Sequence, residues 1–359
     1  MTMTPETMEL FLGSFGRFMA REVAPHVGGL DLVPGKEAPC DLYEVLAGSG
    51  VLDPADLDDD FLRPRHVVEV LAAASKHCAG VGAYIAYMLV GEMLARRFAP
   101  AKVPRGELCA LGIFEERELG FDEGKVNFSP MLEGESVTGK KSSVFLAAGA
   151  RRFAVLTGGS ERSEGCRIAW TGREGVRVGA PVGLMGARAL GCADVVFERA
   201  PVVGSAGMGL DDVLDLVGIL SLYGAACACA TAAEGLRQAW EYAGQRYQGG
   251  VMICEHDAVA LMYARGMAGV ESSLAAVVQA ARQCDRPSRR GALAAIRAKI
   301  LASEVARGAL ADAVQMLGGY GYMRDYGIEK RFRDAVTLSL LPADNTRLAL
   351  LCARTPHPG

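Results

Sequence analysis

Two stretches of this chain combine bare backbone, a guanidinium and hydrogen-bonding side chains in a way that could hold an anion. The first, AVQMLGGYGYMRDYGIEKRFRD at residues 313–334, sets Gly318, Gly319 and Gly321 among three tyrosines and ends in alternating charges. The second, EYAGQRYQGGVMICEH at residues 241–256, carries Arg246, Gln248, two adjacent glycines and His256. Glycine has no Cβ, so its N–H can approach a pyrophosphate closely, and an arginine can bind such oxygens through two parallel hydrogen bonds. A plainer use of the same residues stays open: the glycines end one helix and relay to the next, and the tyrosines pack as core.

Helices and a sheet must place these stretches. Apolar residues recur at spacings of three and four through residues 5–105, as in VVEVLAAASKHC and AYIAYMLVGEMLARRF, which predicts helices. Between 108 and 203 the period changes to short alternating runs such as SVTGKKSSVF, RRFAVLTGG and CRIAWTG, broken by glycine-rich turns, and an antiparallel sheet is expected. Long helices rich in small residues are then predicted at 211–246, 255–284, 292–317 and 329–353. The fold class read from this order is α+β: an N-terminal helical domain over 1–107, a central antiparallel β domain over 108–205, and a C-terminal four-helix bundle over 206–359.

Composition removes several classes of function. With 359 residues, half of them apolar, the chain can bury a substantial core. The 38 basic and 42 acidic residues leave a net charge of -4, which gives no footprint for nucleic acid. The uncharged run LVGILSLYGAACACATAA, 216–233, has the length of a membrane span, but its small residues suit a central helix touched on all sides, so no membrane span is expected. The N-terminus has early acidic residues and no basic flank, unlike a signal peptide, and a cytoplasmic location is expected. Ten scattered cysteines without a CxxC pair read as free, buried thiols rather than as a metal site or a disulfide framework.

The run Gln315, Gly318, Gly319, Gly321, Tyr322, Tyr326, Glu329, Arg333, Asp334 fixes nine positions in twenty and resembles the C-terminal signature of the acyl-CoA dehydrogenase family. Tyr242, Ala243, Arg246, Gly250, Glu255 and His256 are similar to a second family segment, with Gly249 where a Phe is usual and Asp257 where a Gln is usual. A weaker likeness covers GLMGARALGCADVVFERAPV, 183–202. The resemblance implies FAD as cofactor, an acyl-CoA substrate and an oligomer, because in the family these segments hold the ADP half of FAD on a neighbouring subunit. Arg246, Gln248, His256, Gln315, Gly318 and Gly319 are the residues it assigns to that half.

The rest of the family pattern departs here. Members abstract the α proton of an acyl thioester with a Glu while the β hydride passes to the flavin. The usual Glu position falls on Pro342, and the alternative position of some relatives falls on Val217 and Gly218. Asp344, the one carboxylate in LLPADNTRLA, is the local candidate for a relocated base, although DNT before RLALL also reads as a helix cap. The strand that shields the flavin ring falls on Ser143, Val144 and Phe145, of which Ser143 and Phe145 are assigned to the ring edge, and a further cofactor turn falls on Phe114, Glu115 and Glu116. The expected activity is α,β-dehydrogenation of an acyl-CoA, with the electron acceptor unassigned. Two alternatives stand beside it: a non-catalytic partner subunit of a hetero-oligomeric dehydrogenase, and a redox-neutral acyl-CoA lyase on the same fold.

Overall fold

The computed structural model describes residues 3–32, 38–48, 52–53, 56–98, 106–113, 115, 121–122, 125–126, 128, 130–158 and 166–355. Five helices come first: α1 (Pro5–Phe18), α2 (Val27–Leu32), α3 (Ala38–Gly48), α4 (Pro64–His77) and α5 (Ala79–Phe98). α1 starts where Thr4 accepts the N–H of Thr7 and Pro5 takes the first turn, a position where no N–H is needed. α5 is buried over most of its length. It has Gly82 where a Cβ would stand 2.0 Å from Ser75 Oγ, so only bare backbone lets α4 and α5 meet there.

The middle of the chain forms β1 (Cys109–Gly112), β2 (Phe121–Asp122), β3 (Lys125–Val126), β4 (Met131–Glu133), β5 (Ser136–Phe145), β6 (Arg152–Gly158), β7 (Cys166–Thr171), β8 (Val176–Pro181) and β9 (Cys192–Met208). The main sheet runs β1-β6-β4-β5-β9-β7 with β8 on β9, and a further β6–β7 pairing curls it back on itself. Most pairings are antiparallel as expected, but β1 and β4 each lie parallel to β6. These two pairings join strands distant in sequence, which alternation within one strand does not register.

The C-terminal block is α6 (Leu210–Ala243), a short hairpin of β10 (Tyr247–Gln248) and β11 (Val251–Met252), α7 (Asp257–Gln283), α8 (Arg289–Leu317), α9 (Ile328–Leu338) and α10 (Asn345–Arg354). α6 is the one described helix long and apolar enough to cross a membrane, and 83% of its most apolar window is buried inside the protein. Small residues allow that burial: a Cβ at Gly218 would stand 2.7 Å from Ala292 Cα of α8. The helix expected over 329–353 is two helices. Pro342 has no N–H to continue the first, and Asp344 caps the second by accepting the N–H of Arg347 at 3.0 Å.

One continuous apolar core runs through the N-terminal helices, the sheet and the bundle. The Arg333–Asp334 pair locks these parts together. Arg333 pairs with Asp31 of α2 at 2.7 Å, and Asp334 accepts the N–H of Ala187, which follows β8, at 2.7 Å. All nine cysteines whose surroundings are described are free, seven of them buried.

Candidate functional site

The C-terminal ends of α6 and α8 and the β10–β11 hairpin enclose an open cleft of about 590 Å³. Five of the residues read from sequence converge there: Arg246, Gln248, Gln315, Gly318 and Gly319. Local structure explains the convergence. α6 ends at Gly244, the hairpin turns the chain through Gly249 and Gly250 at φ 71° and 92°, and the N–H of Ile253 closes the turn on Arg246 O at 2.8 Å. From the other side, Gly318 ends α8 at φ 58° and ψ -133°, a conformation suited to glycine, and its N–H bonds Gln315 O. Gly318 thus closes a helix, and a Cβ at Gly318 or Gly319 would meet nothing within 4 Å among the described residues, so this backbone is open on the cleft side.

His256 stands outside the cleft. Its Nε2 lies 3.0 Å from Gln248 O and its ring sits under Gly249, so it braces the hairpin that carries Arg246 and Gln248. A Cβ at Gly249 would stand 3.2 Å from that ring. Sequence reasoning did not assign Tyr320 to the cleft wall, yet it lies there beside Met323, and its ring meets Tyr326 at 5.1 Å and Tyr242 at 6.2 Å. Tyr320 is 42% exposed, and an aromatic between two glycines at a helix end was the available signal.

Electrostatics in the cleft rest on one group. Helix C-termini carry partial negative charge and oppose an anion. Among the described residues no carboxylate pairs with Arg246, so its guanidinium is free for a ligand. A free guanidinium over open backbone matches a pyrophosphate, and the ADP half of FAD fits this cleft.

The ring end differs. β5 bulges between Lys141 and Val144, which leaves Ser143 exposed at φ 52° with its N–H on Asp194 Oδ1 at 3.2 Å. Phe145 turns inward, 4% exposed, and meets the ring of Tyr87 on α5 edge-on at 5.1 Å. Neither Ser143 nor Phe145 lines the cleft. Of the turn expected at Phe114, Glu115 and Glu116, the first and last lie outside the described residues, and Glu115 pairs with buried Lys141. That lysine is pushed down to about 8 by burial, against the pull of Glu115. Around this segment Phe145 packs on Tyr87 and Lys141 pairs with Glu115, inside the core and away from the cleft.

The segment between α9 and α10 is equally closed. Lys299 of α8 is fully buried, and its Nζ donates to Ser339 O at 2.7 Å, Ala343 O at 2.8 Å and Asn345 Oδ1 at 2.7 Å. Burial pushes this amine down to about 7, offset by the charges of Asp344 and Glu304. Asp344 itself caps α10, with its side chain 40% exposed. Val217 is buried, and Gly218 has no room for a side chain.

Residues 209–341 match the model of the acyl-CoA dehydrogenase C-terminal domain. Residues 209–341 are thus an acyl-CoA dehydrogenase C-terminal domain. It is 25% identical over 299 residues to the cyclohexane-1-carbonyl-CoA dehydrogenase of Geobacter metallireducens, covering 78% of each chain. It is 28% identical to the benzylmalonyl-CoA dehydrogenase of Aromatoleum aromaticum, covering 89% of this chain and 90% of that one. The fold matches that of the butyryl-CoA dehydrogenase from Megasphaera elsdenii with a TM-score of 0.83 at 20% identity, over 98% of both chains. Within this acyl-CoA dehydrogenase fold, the α6–α8 cleft is open while β5 at Phe145 and the α9–α10 segment are packed shut.

Proposed function

We propose that the chain serves FAD-dependent α,β-dehydrogenation of an acyl-CoA thioester in the cytoplasm, and that its α6–α8 cleft holds the ADP half of FAD. The observation that carries this reading is the meeting of Arg246, Gln248, Gln315, Gly318 and Gly319 in one cleft with the guanidinium unpaired. When bound, FAD supplies hydride acceptance from the acyl β carbon. The chain's own part is to bind and orient the nucleotide. Arg246 takes pyrophosphate oxygens, the bare backbone of Gly318 and Gly319 admits close approach, and Tyr320 offers an apolar wall.

A second reading is favoured by Phe145 against Tyr87 and by Lys299 under the α9–α10 segment. In it the chain is the non-catalytic subunit of a hetero-oligomer and grips an FAD whose ring and base belong to a partner of the same fold. Purification of the chain alone, with its visible spectrum and its size in solution, separates the two readings. A coloured homo-oligomer whose flavin bleaches with cyclohexane-1-carbonyl-CoA, benzylmalonyl-CoA or butyryl-CoA supports the first. A colourless chain that retains flavin only with a same-fold partner supports the second. Failure to retain flavin in either setting sinks both.

A further inference from the structure

A thiol and an amine meet where the N-terminal helices touch the last part of the bundle. Cys78 stands at the break between α4 and α5, its N–H on Ala74 O at 3.1 Å and its own carbonyl accepting the N–H of Gly82 at 3.0 Å. The 20-residue α5 therefore starts from Cys78, whose side chain lies at the positive end of that helix. Lys330 of α9 comes from a point 252 residues along the chain, and its Nζ donates to Cys78 Sγ at 3.2 Å and to Asp334 Oδ2 at 2.6 Å. Positive charge thus reaches one sulfur from two sides, the setting in which thiols attack oxidants.

A cavity of about 390 Å³ lies against this pair. Its wall includes His77 and Cys78, Asp31 of α2, Gln238 of α6, and Lys330 and Asp334 of α9, and none of its lining residues lines the α6–α8 cleft. The thiols of Cys192, Cys227, Cys229 and Cys284 differ, because burial pushes each of them up to about 12 and keeps them as inert SH at neutral pH. Burial pulls the Lys330 amine down, but the charges of Cys78 and Asp334 outweigh it and hold the amine above its ordinary value, as an ammonium on the sulfur. Oxidation of the sulfur removes one of those charges and leaves Asp334 in contact to take the amine's proton.

We propose that Cys78 and Lys330 form a peroxide-sensitive pair that closes to a sulfur–nitrogen bridge between the α4–α5 junction and α9. In the first step the Cys78 thiolate attacks hydrogen peroxide: the O–O bond breaks, sulfur is oxidised to the sulfenic acid, and the second oxygen leaves as hydroxide. In the second step Lys330 passes a proton through Asp334 to that hydroxide, which becomes water, and the neutral Nζ attacks the sulfur. The S–N bond forms, the S–O bond breaks, and the sulfenic OH leaves with another amine proton as a second water. One thiolate, one ammonium and one peroxide give one sulfenamide and two waters.

The test treats the full chain, as purified, with hydrogen peroxide, then digests it without reductant and maps the peptides by mass spectrometry. The Cys78 peptide should appear joined to the Lys330 peptide, two hydrogens lighter than their sum, and dithiothreitol should part them. Cys78 should be consumed about 10-fold or more faster than the four deeply buried thiols. A bridge closing so long a loop restricts the unfolded chain, so the oxidised protein should unfold at higher urea, and dithiothreitol should cancel the gain. Lys330→Arg keeps the charge without a nucleophilic amine and should stop at the sulfenic acid, one oxygen heavier and captured by dimedone. The native sequence oxidised in concentrated urea, with the pair apart, should give no bridge, a control independent of how the variant folds. Three results would overturn the proposal: no oxidation at Cys78, oxidation of the native chain that stops at the sulfenic acid, or equal bridging in the folded and urea-unfolded chain.

Discussion

The α6–α8 cleft differs in kind from the region where β5 ends and α9 passes to α10. At the α6–α8 cleft the backbone is bare, the wall is half-exposed tyrosine, and a guanidinium stands unpaired. At the end of β5 and in the α9–α10 segment the interior is packed, by Phe145 against Tyr87 and by a buried lysine holding three oxygens. Under the proposed reading, gripping a dinucleotide and hosting its reaction would be physically separable tasks in this fold. The grip needs a free cation and open backbone at a helix end, while the reaction needs a cavity and a base inside the core.

The largest way to break that contrast is to empty the closed side. Phe145→Ala removes a buried ring and should destabilise the chain by about 3–5 kcal/mol, read as a lowered urea midpoint. A change below about 1 kcal/mol would mean that the ring does not fill a packed space there, and the contrast would weaken accordingly.

Lys299→Met comes next. It leaves the carbonyls of Ser339 and Ala343 without their donor, and a loss of about 2–4 kcal/mol is expected. The same variant tests the charge. A folded amine titrating at about 7, against an ordinary value of 10.5, sheds its proton between those limits while the unfolded chain still holds it. The unfolded state then binds more protons, so this residue makes stability rise with pH through that window, by at most about 1.4 kcal/mol per pH unit. Urea midpoints at pH 7 and pH 9 should show the rise in the native chain and lose it in Lys299→Met. A native chain that falls in stability over the same interval contradicts the assignment.

On the open side, Arg246→Ala should weaken FAD retention by about 1.5–3 kcal/mol, because helix C-termini supply no compensating charge. Gly319→Val should release flavin with helix content nearly intact, since the added side chain meets nothing of the chain itself and occupies the nucleotide's space. Circular dichroism with flavin absorbance, in whichever assembly retains the cofactor, separates these outcomes from unfolding.

The contrast was legible in part from sequence. Arg246, Gln248, Gln315, Gly318 and Gly319 converge because each sits at a helix end or hairpin whose glycines announce it locally. His256 was placed among the cofactor ligands, yet its role depends on a fold-back onto Gln248 O eight residues away, which spacing does not reveal. The parallel β1–β6 pairing, the Asp31–Arg333 link and the Lys299 contacts join residues distant in sequence, so no local pattern carries them. Pro342 did signal a departure, but the resulting division of the last helix into α9 and α10 depends as well on Lys299, reaching in from another helix.

Asp344 offers the finest test, because it separates a base from a cap. As a cap, its carboxylate accepts the N–H of Arg347 and stands near that residue's guanidinium at 3.5 Å, partly exposed and outside the cavities described above. Asn accepts the same N–H almost as well as Asp, whereas Ala cannot accept it. Asp344→Asn should therefore shift stability by no more than about 0.5 kcal/mol, and Asp344→Ala should lower it by about 1 kcal/mol. A base behaves differently under the same pair of changes, since amide and methyl both abolish proton abstraction. If acyl-CoA-dependent flavin bleaching falls by about 10² or more in Asp344→Asn with flavin still bound, the carboxylate is a base that happens to cap a helix, and the closed side of this chain is not closed to chemistry. If only the alanine variant changes, and only in stability, the residue is a cap and the chemistry lies with another chain.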